Sequence, residues 1–358
     1  MTFKHLDRRE LIKVLGATGA AAAFPLNQAL AAWPSRPITM IVATKQGGGV
    51  DGVARTLEPL LEPRLGNATI NVVNKTGATG SIGGEFVWNK PPDGHWWFCS
   101  GGFNRGLRAL GLMDKIGWQD WQYCGADTSI MSLSVPPDSP FNSLEDLIKH
   151  AKDNPGKLRM SGNGLGGTWH LAASLVMKIS GTDFRFVPYK GGKPATTAAL
   201  KGEVDVACSG LHEQLDAVKA GRLKNLAISV DKEMNIQGQA LKPITDAIPA
   251  LKGKTPIGGG MSMAMRRDTD IGVLKTVSKN WLDAVNSKEF HAIDMKKPRF
   301  PDPTIGADAD KRAALWETVA ANLLADVGKA KKSPKDLGLP KIEEFESWWP
   351  PKGYKPRI

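Results

Sequence analysis

The sequence predicts an α/β protein of two lobes, each built on a mainly parallel sheet. Short apolar runs of strand character alternate with amphipathic helical runs along most of the chain. Once an N-terminal export segment is set aside, about 325 residues remain, too many for one ordinary core and suited to two. Glycine clusters stand repeatedly between a strand-like run and the helix that follows, as βα units require.

Residues 38–44 form the first strand and end at Gly47-Gly48-Gly49. Asp51 is placed as the N-cap of a helix whose apolar face is Val53, Ala54, Leu57, Leu60 and Leu61. Residues 69–73 are the next strand, residues 74–80 a loop, and a short helix carries Phe86 and Val87. Pro91-Pro92-Asp93-Gly94 is a turn before a third strand at residues 95–99.

A second set begins near Trp121 with an extended segment to Val135. Ser143 caps a helix carrying Leu144, Leu147, Ile148 and Ala151, which Asn154-Pro155-Gly156 stops. Strand residues 158–161, the loop 162–168 and a helix with Leu171, Leu175, Val176 and Ile179 follow, ended by Gly181. Residues 184–188, Gly191-Gly192 and a helix over 194–201 repeat the unit, and residues 204–208 and 226–230 add two strands. From Lys254 strand and helix return, and the Pro-rich Trp348-Trp349-Pro350-Pro351 lies near the end.

Residues 1–31 read as an export signal. Arg8-Arg9 is a twin-arginine signature, residues 14–24 are a mildly apolar stretch, and Ala29-Leu30-Ala31 is a small-x-small cleavage pattern. The mature chain is expected to start at Ala32 or Trp33, in the periplasm, with no lipid anchor because no cysteine marks the cut. No later segment approaches the ~20 apolar residues that cross a bilayer. Cys99, Cys124 and Cys208 lack CxxC spacing and sit in apolar runs, so buried free thiols are expected. Of the formal charge of +11, Lys4, Arg8, Arg9 and Lys13 against Asp7 and Glu10 leave +9 on the mature part. That field favours anions. The cations are dispersed, which argues against nucleic acid.

Four segments share the order strand, glycines, helix start: residues 45–51, 76–84, 162–168 and 189–194. Helix N-termini leave about four backbone N–H groups unpaired and carry partial positive charge. Glycine lets a ligand approach them, and such loops gather at the carboxyl ends of strands. Several together make a cleft for an anion, with charge-assisted hydrogen bonds worth ~1.5–3 kcal/mol each. Equally, any one of these glycines can serve a tight turn.

The order of the segments is more specific than their chemistry. Trp33-Pro34-Ser35-Arg36-Pro37 is followed by Gly47-Gly48-Gly49-Val50-Asp51, Asn74-Lys75-Thr76-Gly77-Ala78-Thr79-Gly80-Ser81 and Pro92-Asp93-Gly94. Then come Asn154-Pro155-Gly156, Ser161-Gly162-Asn163-Gly164, His170-Leu171, Val187-Pro188-Tyr189-Lys190-Gly191-Gly192 and Gly202-Glu203-Val204-Asp205-Val206. Over roughly residues 33–230 this series resembles the Bug family, the periplasmic receptors of tripartite tricarboxylate transporters.

The resemblance implies a type II periplasmic-binding-protein fold, two lobes joined by a hinge and closing on a ligand. It implies lobe one from residues 32–127 and 255–358, and lobe two from residues 128–254. It also implies a solute-binding protein and not an enzyme, without cofactor or metal. The ligand would be a small organic acid: a di- or tricarboxylate, an amino acid or an aromatic acid. The partners would be the transporter's membrane subunits, and the protein would work as a monomer. By position, Gly47, Gly48, Gly49, Thr79, Gly80 and Ser81 would line lobe one; Ser161, Gly162, Asn163, Gly164, His170, Tyr189, Lys190 and Gly191 would line lobe two.

The chain departs from the family pattern at several points. Ala43-Thr44-Lys45-Gln46 replaces a Pro-Phe-x-Pro stretch, Val50 replaces a hydroxyl residue, and Cys208-Ser209-Gly210 lacks the aspartate expected after the strand. Lys45 is either an anion contact or a surface lysine. Trp169 and Phe103 either stack on an aromatic acid or pack the cleft wall.

Other classes fit less well. Residues 162–167 satisfy G-x-G-x-x-G, as in a dinucleotide-dependent oxidoreductase. The acid that should close the next strand is instead Asp183, ahead of that strand. His212-Glu213 with Asp216 half-resembles a metal helix, and no nucleophile elbow occurs. A receptor that presents its ligand to a membrane kinase would share the fold.

Overall fold

The computed structural model describes residues 33–101, 106–164, 166–252, 254–294 and 298–358. The export segment and Phe103 lie outside the described residues.

The first βα unit forms as its apolar pattern dictates. Strand β1 (Ile38–Val42) leads into helix α1 (Gly49–Leu61), then β2 (Ile70–Asn74), α2 (Ser81–Trp88) and β3 (Trp96–Gly101). β1 pairs in parallel with both β2 and β3. Strand β4 (Trp121–Val135) is long, buried except at half-buried Thr128, and opens the second set. There follow α3 (Leu144–Asp153), β5 (Arg159–Asn163), α4 (Thr168–Ser180), β6 (Arg185–Tyr189), α5 (Gly192–Leu200), β7 (Val206–Gly210), α6 (Leu211–Lys219) and β8 (Lys224–Ile228). β5 pairs in parallel with β6 and β7. A hairpin, β9 (Met234–Ile236) and β10 (Gln239–Leu241), precedes the return through β11 (Gly258–Arg266), α7 (Ile271–Val285), α8 (Lys288–Asp294), β12 (Phe300–Pro301) and α9 (Gly306–Asp326).

β4 joins the two lobes. Up to Ile130 it pairs antiparallel with β11, and from Met131 onward with β7 and β8. β11 closes the first sheet between β3 and β4, giving the order β2-β1-β3-β11-β4-β7-β5-β6. Periodicity along the chain does not reveal this antiparallel insertion, since β11 is paired with strands more than 120 residues away. The result is the two-lobed type II fold.

Both faces of each sheet are covered, and alternate side chains supply the two cores. On one face of the first sheet Met40, Trp97, Cys99 and Met263 pack on α1 and α7, including Leu57, Leu61 and Trp281. On the other face Ile41, Phe98 and Ala264 pack against Val87 and the start of α9. In the second lobe Met131, Leu133, Met160, Val206 and Cys208 bury against α3, α4 and the end of α9. Each fully buried Leu or Met contributes ~1.5–3 kcal/mol. α9 therefore touches the cores of both lobes.

The local stop and start signals mostly act as read. Ser143 Oγ accepts the Asp146 N–H at 3.1 Å, and α4 ends on Gly181 in the left-handed region. The cap of α1 differs: Gly48 is its N-cap and Asp51 lies inside the first turn. The Asp51 carboxylate is drawn away from a cap position by the tertiary partners described below. All three cysteines are free and buried. Burial pushes the Cys124 and Cys208 thiols up to about 12.

Candidate functional site

The carboxylate of Asp51 organises the first-lobe loops. Its side chain is 2% exposed, and it accepts the Gly47 N–H at 2.8 Å and the Asn74 amide at 2.8 Å. Arg55 Nε adds contacts at 3.1 and 3.2 Å. Burial alone would raise this carboxyl, but the Gly47 N–H, Asn74 and Arg55 outweigh it and hold it below the usual range. The Asn74 amide also donates to the Thr44 carbonyl at 2.9 Å, so the ends of β1 and β2 are tied to one anchor. From the far side of the loop, Arg299 Nη1 donates to the Gly49 carbonyl at 3.1 Å and pairs with buried Asp127 at 2.8 Å.

The loop after β2 is unusual. Gly77, Ala78, Thr79 and Gly80 have φ of 127°, 43°, 58° and 100°. Alanine and threonine are disfavoured there, at ~1–3 kcal/mol each, and such strain clusters where a ligand is clamped. This conformation turns Thr79 and Gly80 toward the ends of β1 and β3.

On the second lobe, Asn163 ends β5 and its Oδ1 accepts the Trp169 and His170 N–H groups at 2.7 and 3.2 Å. Two of the N–H groups at the start of α4 are therefore taken by a side chain. Nδ1 of His170 accepts the Gly166 N–H at 3.2 Å, which leaves the ring proton on Nε2. Burial lowers the imidazole's pKa and keeps it neutral at neutral pH.

These loops meet in a cleft of about 270 Å³. From the first lobe it is walled by Ala43, Thr44, Gly77, Thr79, Gly80, Ser100 and Gly101, and from the second by Asn163, Gly166, Gly167, Thr168 and Leu171. It opens at the carboxyl ends of β1, β2, β3 and β5, where ligands bind in open α/β sheets. Thr44 Oγ1 is buried and has no hydrogen-bond partner among the described residues. A larger cavity, about 500 Å³, is lined by β4, β11 and α9. It lies away from these strand ends, and its Arg312 and Lys311 already pair with Asp302 and Glu346. The smaller cleft is the better candidate.

Of the residues singled out in the sequence, Thr79, Gly80 and Asn163 line this cleft. Gly47, Gly48 and Gly49 shape the adjoining loop held by Asp51 and Arg299. Ser81 is buried at the start of α2, and Ser161 Oγ is buried, donating to the Ala195 carbonyl at 3.0 Å. A Cβ on Gly162 would fall 2.7 Å from the Phe186 ring, and Gly164 has open space around it. His170 stacks edge-on to Phe186 beneath the α4 start. Tyr189 donates to Glu203 at 3.3 Å, Lys190 is exposed, and Gly191 adopts φ 136° before α5. Lys45 is exposed, and Trp169 is buried within the core. Sequence reading missed Thr44, Ser100 and Thr168. Each is a hydroxyl at a strand end or helix start, which was the only available signal.

Among the described residues no group of His, Cys, Asp and Glu is placed to hold a metal ion, and no helix is long and apolar enough to cross a membrane.

Two α/β lobes, a two-strand crossing and a small cleft at the strand ends define a solute-binding protein. The profile of the tripartite tricarboxylate transporter family receptors (TctC) matches residues 53–243, more than half of the chain, which belongs to that family. BugT of Bordetella pertussis is 29% identical over 227 residues, covering 62% of this chain and 69% of BugT. Other curated relatives are matched over about 60% of their own length. The crystal structure of a Polaromonas TctC solute-binding protein shares the fold, with a TM-score of 0.68 at 24% identity, over 83% of this chain and 99% of that one. So does an R. palustris protein solved with adipate: TM-score 0.67, 22% identity, and 83% and 98% coverage. These relatives are receptors and not enzymes, so the G-x-G-x-x-G at residues 162–167 is a loop of the binding-protein fold.

Proposed function

We propose that the protein captures a small organic carboxylate in the periplasm and delivers it, as a monomer, to the membrane subunits of a tripartite transporter. The observation that carries this is the cleft itself, where hydroxyls and glycines of both lobes converge on about 270 Å³. That is below the ~300–1,000 Å³ of pockets for drug-sized ligands. Its wall offers Thr44, Thr79, Ser100 and Thr168 hydroxyls and the Asn163 amide, neutral donors that suit a carboxylate, and no lysine or arginine is among the described wall residues. The adipate bound to the R. palustris protein of the same fold supports an acid as ligand. Residues 32–127 with 255–358 form one lobe and residues 128–254 the other, and β4 and β11 are the hinge. Closure is a hinge motion in which ligand shifts an existing equilibrium.

A thermal-shift panel of mono-, di- and tricarboxylates, amino acids and aromatic acids tests the reading, with small-angle scattering on any hit. Ligand at ~100 times its Kd adds about 2.7 kcal/mol to native stability. A hit with a smaller scattering radius is expected; a silent panel refutes carboxylate capture.

A further inference from the structure

The second lobe carries a side-chain carboxylate where a ligand's would be expected. Glu213, in the first turn of α6, accepts the Gly210 N–H at 2.9 Å. That contact alone is an ordinary capping box. Two further donors come from other helices: the Lys193 N–H in the first turn of α5 and the Trp169 side chain in the first turn of α4. The same carboxylate thus ties together the starts of the three helices that follow β5, β6 and β7. Gly192 is required beside it, since any Cβ there would collide with Glu213 Oε1 and Oε2. Two of these helix starts, those of α5 and α6, give a backbone N–H, while α4, whose first N–H groups are held by Asn163, gives an indole N–H; together they make an anion seat. Here the chain fills that seat itself. The donors are all N–H groups, so the oxygens act as acceptors, as a carboxylate's do. Burial raises the Glu213 carboxyl, while Gly210, Lys193, the Arg299 charge and Trp169 oppose the rise.

Trp169 links the seat to the candidate cleft. Thr168 lines the cleft, the next residue, Trp169, reaches Glu213, and the Trp169 N–H is held by Asn163 of the cleft wall. We propose that Glu213 occupies the second-lobe anion seat from within, so that the ligand carries a single carboxylate and turns an uncharged or cationic end toward Glu213. A second carboxylate would find its seat filled and a like charge beside it. This rests on the carboxylate reading above and narrows it against di- and tricarboxylates.

The test compares matched pairs on the purified protein by calorimetry: propionate with succinate, hexanoate with adipate, benzoate with terephthalate. Against wild type, at least one one-carboxylate member binds ten-fold or more tighter than its two-carboxylate partner. In Glu213→Ala that ratio collapses, and excess acetate raises the melting temperature of the variant but not of wild type by refilling the seat. Should Glu213→Ala fail to fold, Glu213→Gln, which keeps the seat filled but removes the charge, must narrow the ratio. Equal binding of both members of each pair to wild type, or an unchanged ratio in the variants, overturns the inference and leaves carboxylate capture standing. Silence of all six acids overturns the inference, and carboxylate capture then stands or falls on the wider panel.

Discussion

Thr44→Val separates a ligand contact from a structural one by the sign of its effect. The Thr44 hydroxyl is buried, lines the cleft, and has no hydrogen-bond partner among the described residues. A buried hydroxyl without a partner costs ~1–3 kcal/mol. Valine has nearly the same shape, so the ligand-free protein should gain stability, by up to about that amount. The Thr44 carbonyl, which the Asn74 amide holds at 2.9 Å, is untouched by the change. In the complex the same hydroxyl would donate to a carboxylate, a bond worth ~1.5–3 kcal/mol, so affinity should fall roughly 10- to 150-fold. Denaturant unfolding without ligand, followed by titration with the acid found in the panel, reads both quantities. A stability gain with an affinity loss is a functional site held at the expense of the fold. A variant less stable than wild type, or one that binds as well, would refute the placement of Thr44 in the site.

Asp51→Asn should destabilise the protein by ~1–3 kcal/mol at neutral pH, because buried N–H donors then face an amide. Asp51's pKa is lowered on folding, so its contribution is present above the unfolded value of ~3.9 and lost as pH falls through the folded one. The stability gap between variant and wild type should therefore begin to shrink as pH falls toward about 4 and keep shrinking below it; a gap that does not change over that acid range speaks against the ionised anchor. Gly48→Val places a Cβ 2.9 Å from the Lys45 carbonyl, so the loop must shift and ligand affinity should fall in a protein that circular dichroism shows to be folded. Ser161→Ala should instead cost ~1 kcal/mol of stability and little affinity, since its hydroxyl serves the Ala195 carbonyl. For export, Arg8→Lys with Arg9→Lys should leave folded precursor in the cytoplasm; normal periplasmic accumulation of that double variant would exclude the twin-arginine route.

What the sequence made legible was local. The β1, β2 and β3 runs, the Ser143 cap and the Gly181 stop depend on neighbours within a few residues, and they stand within a residue or two of where the pattern puts them. The glycine loops were legible as loops near strand ends. Their individual duties were not, because those are decided across space. Asp51 has the composition of an N-cap, but Asn74, 23 positions away, and the Gly47 N–H capture its carboxylate. Arg299 reaches Gly49 across 250 positions and anchors on Asp127.

Glu213 shows the limit most plainly. In sequence it is one acid of a His-Glu pair on a helix, and the strand before it lacks the aspartate that the family resemblance led one to expect. The fold brings that helix start beside the start of α5 and the Trp169 side chain, and the Glu213 carboxylate accepts from both. An acid introduced by Ser209→Asp tests whether that strand end and Glu213 share one seat. Ser209 is fully buried, with its Oγ 2.8 Å from Thr196 Oγ1 and 2.9 Å from the Gln214 amide. If the two share a seat, a second anion there should be tolerated in Glu213→Ala far better than in wild type, a non-additivity of ~0.5–3 kcal/mol in a double-mutant cycle. Purely additive losses would mean that the two positions do not share a seat.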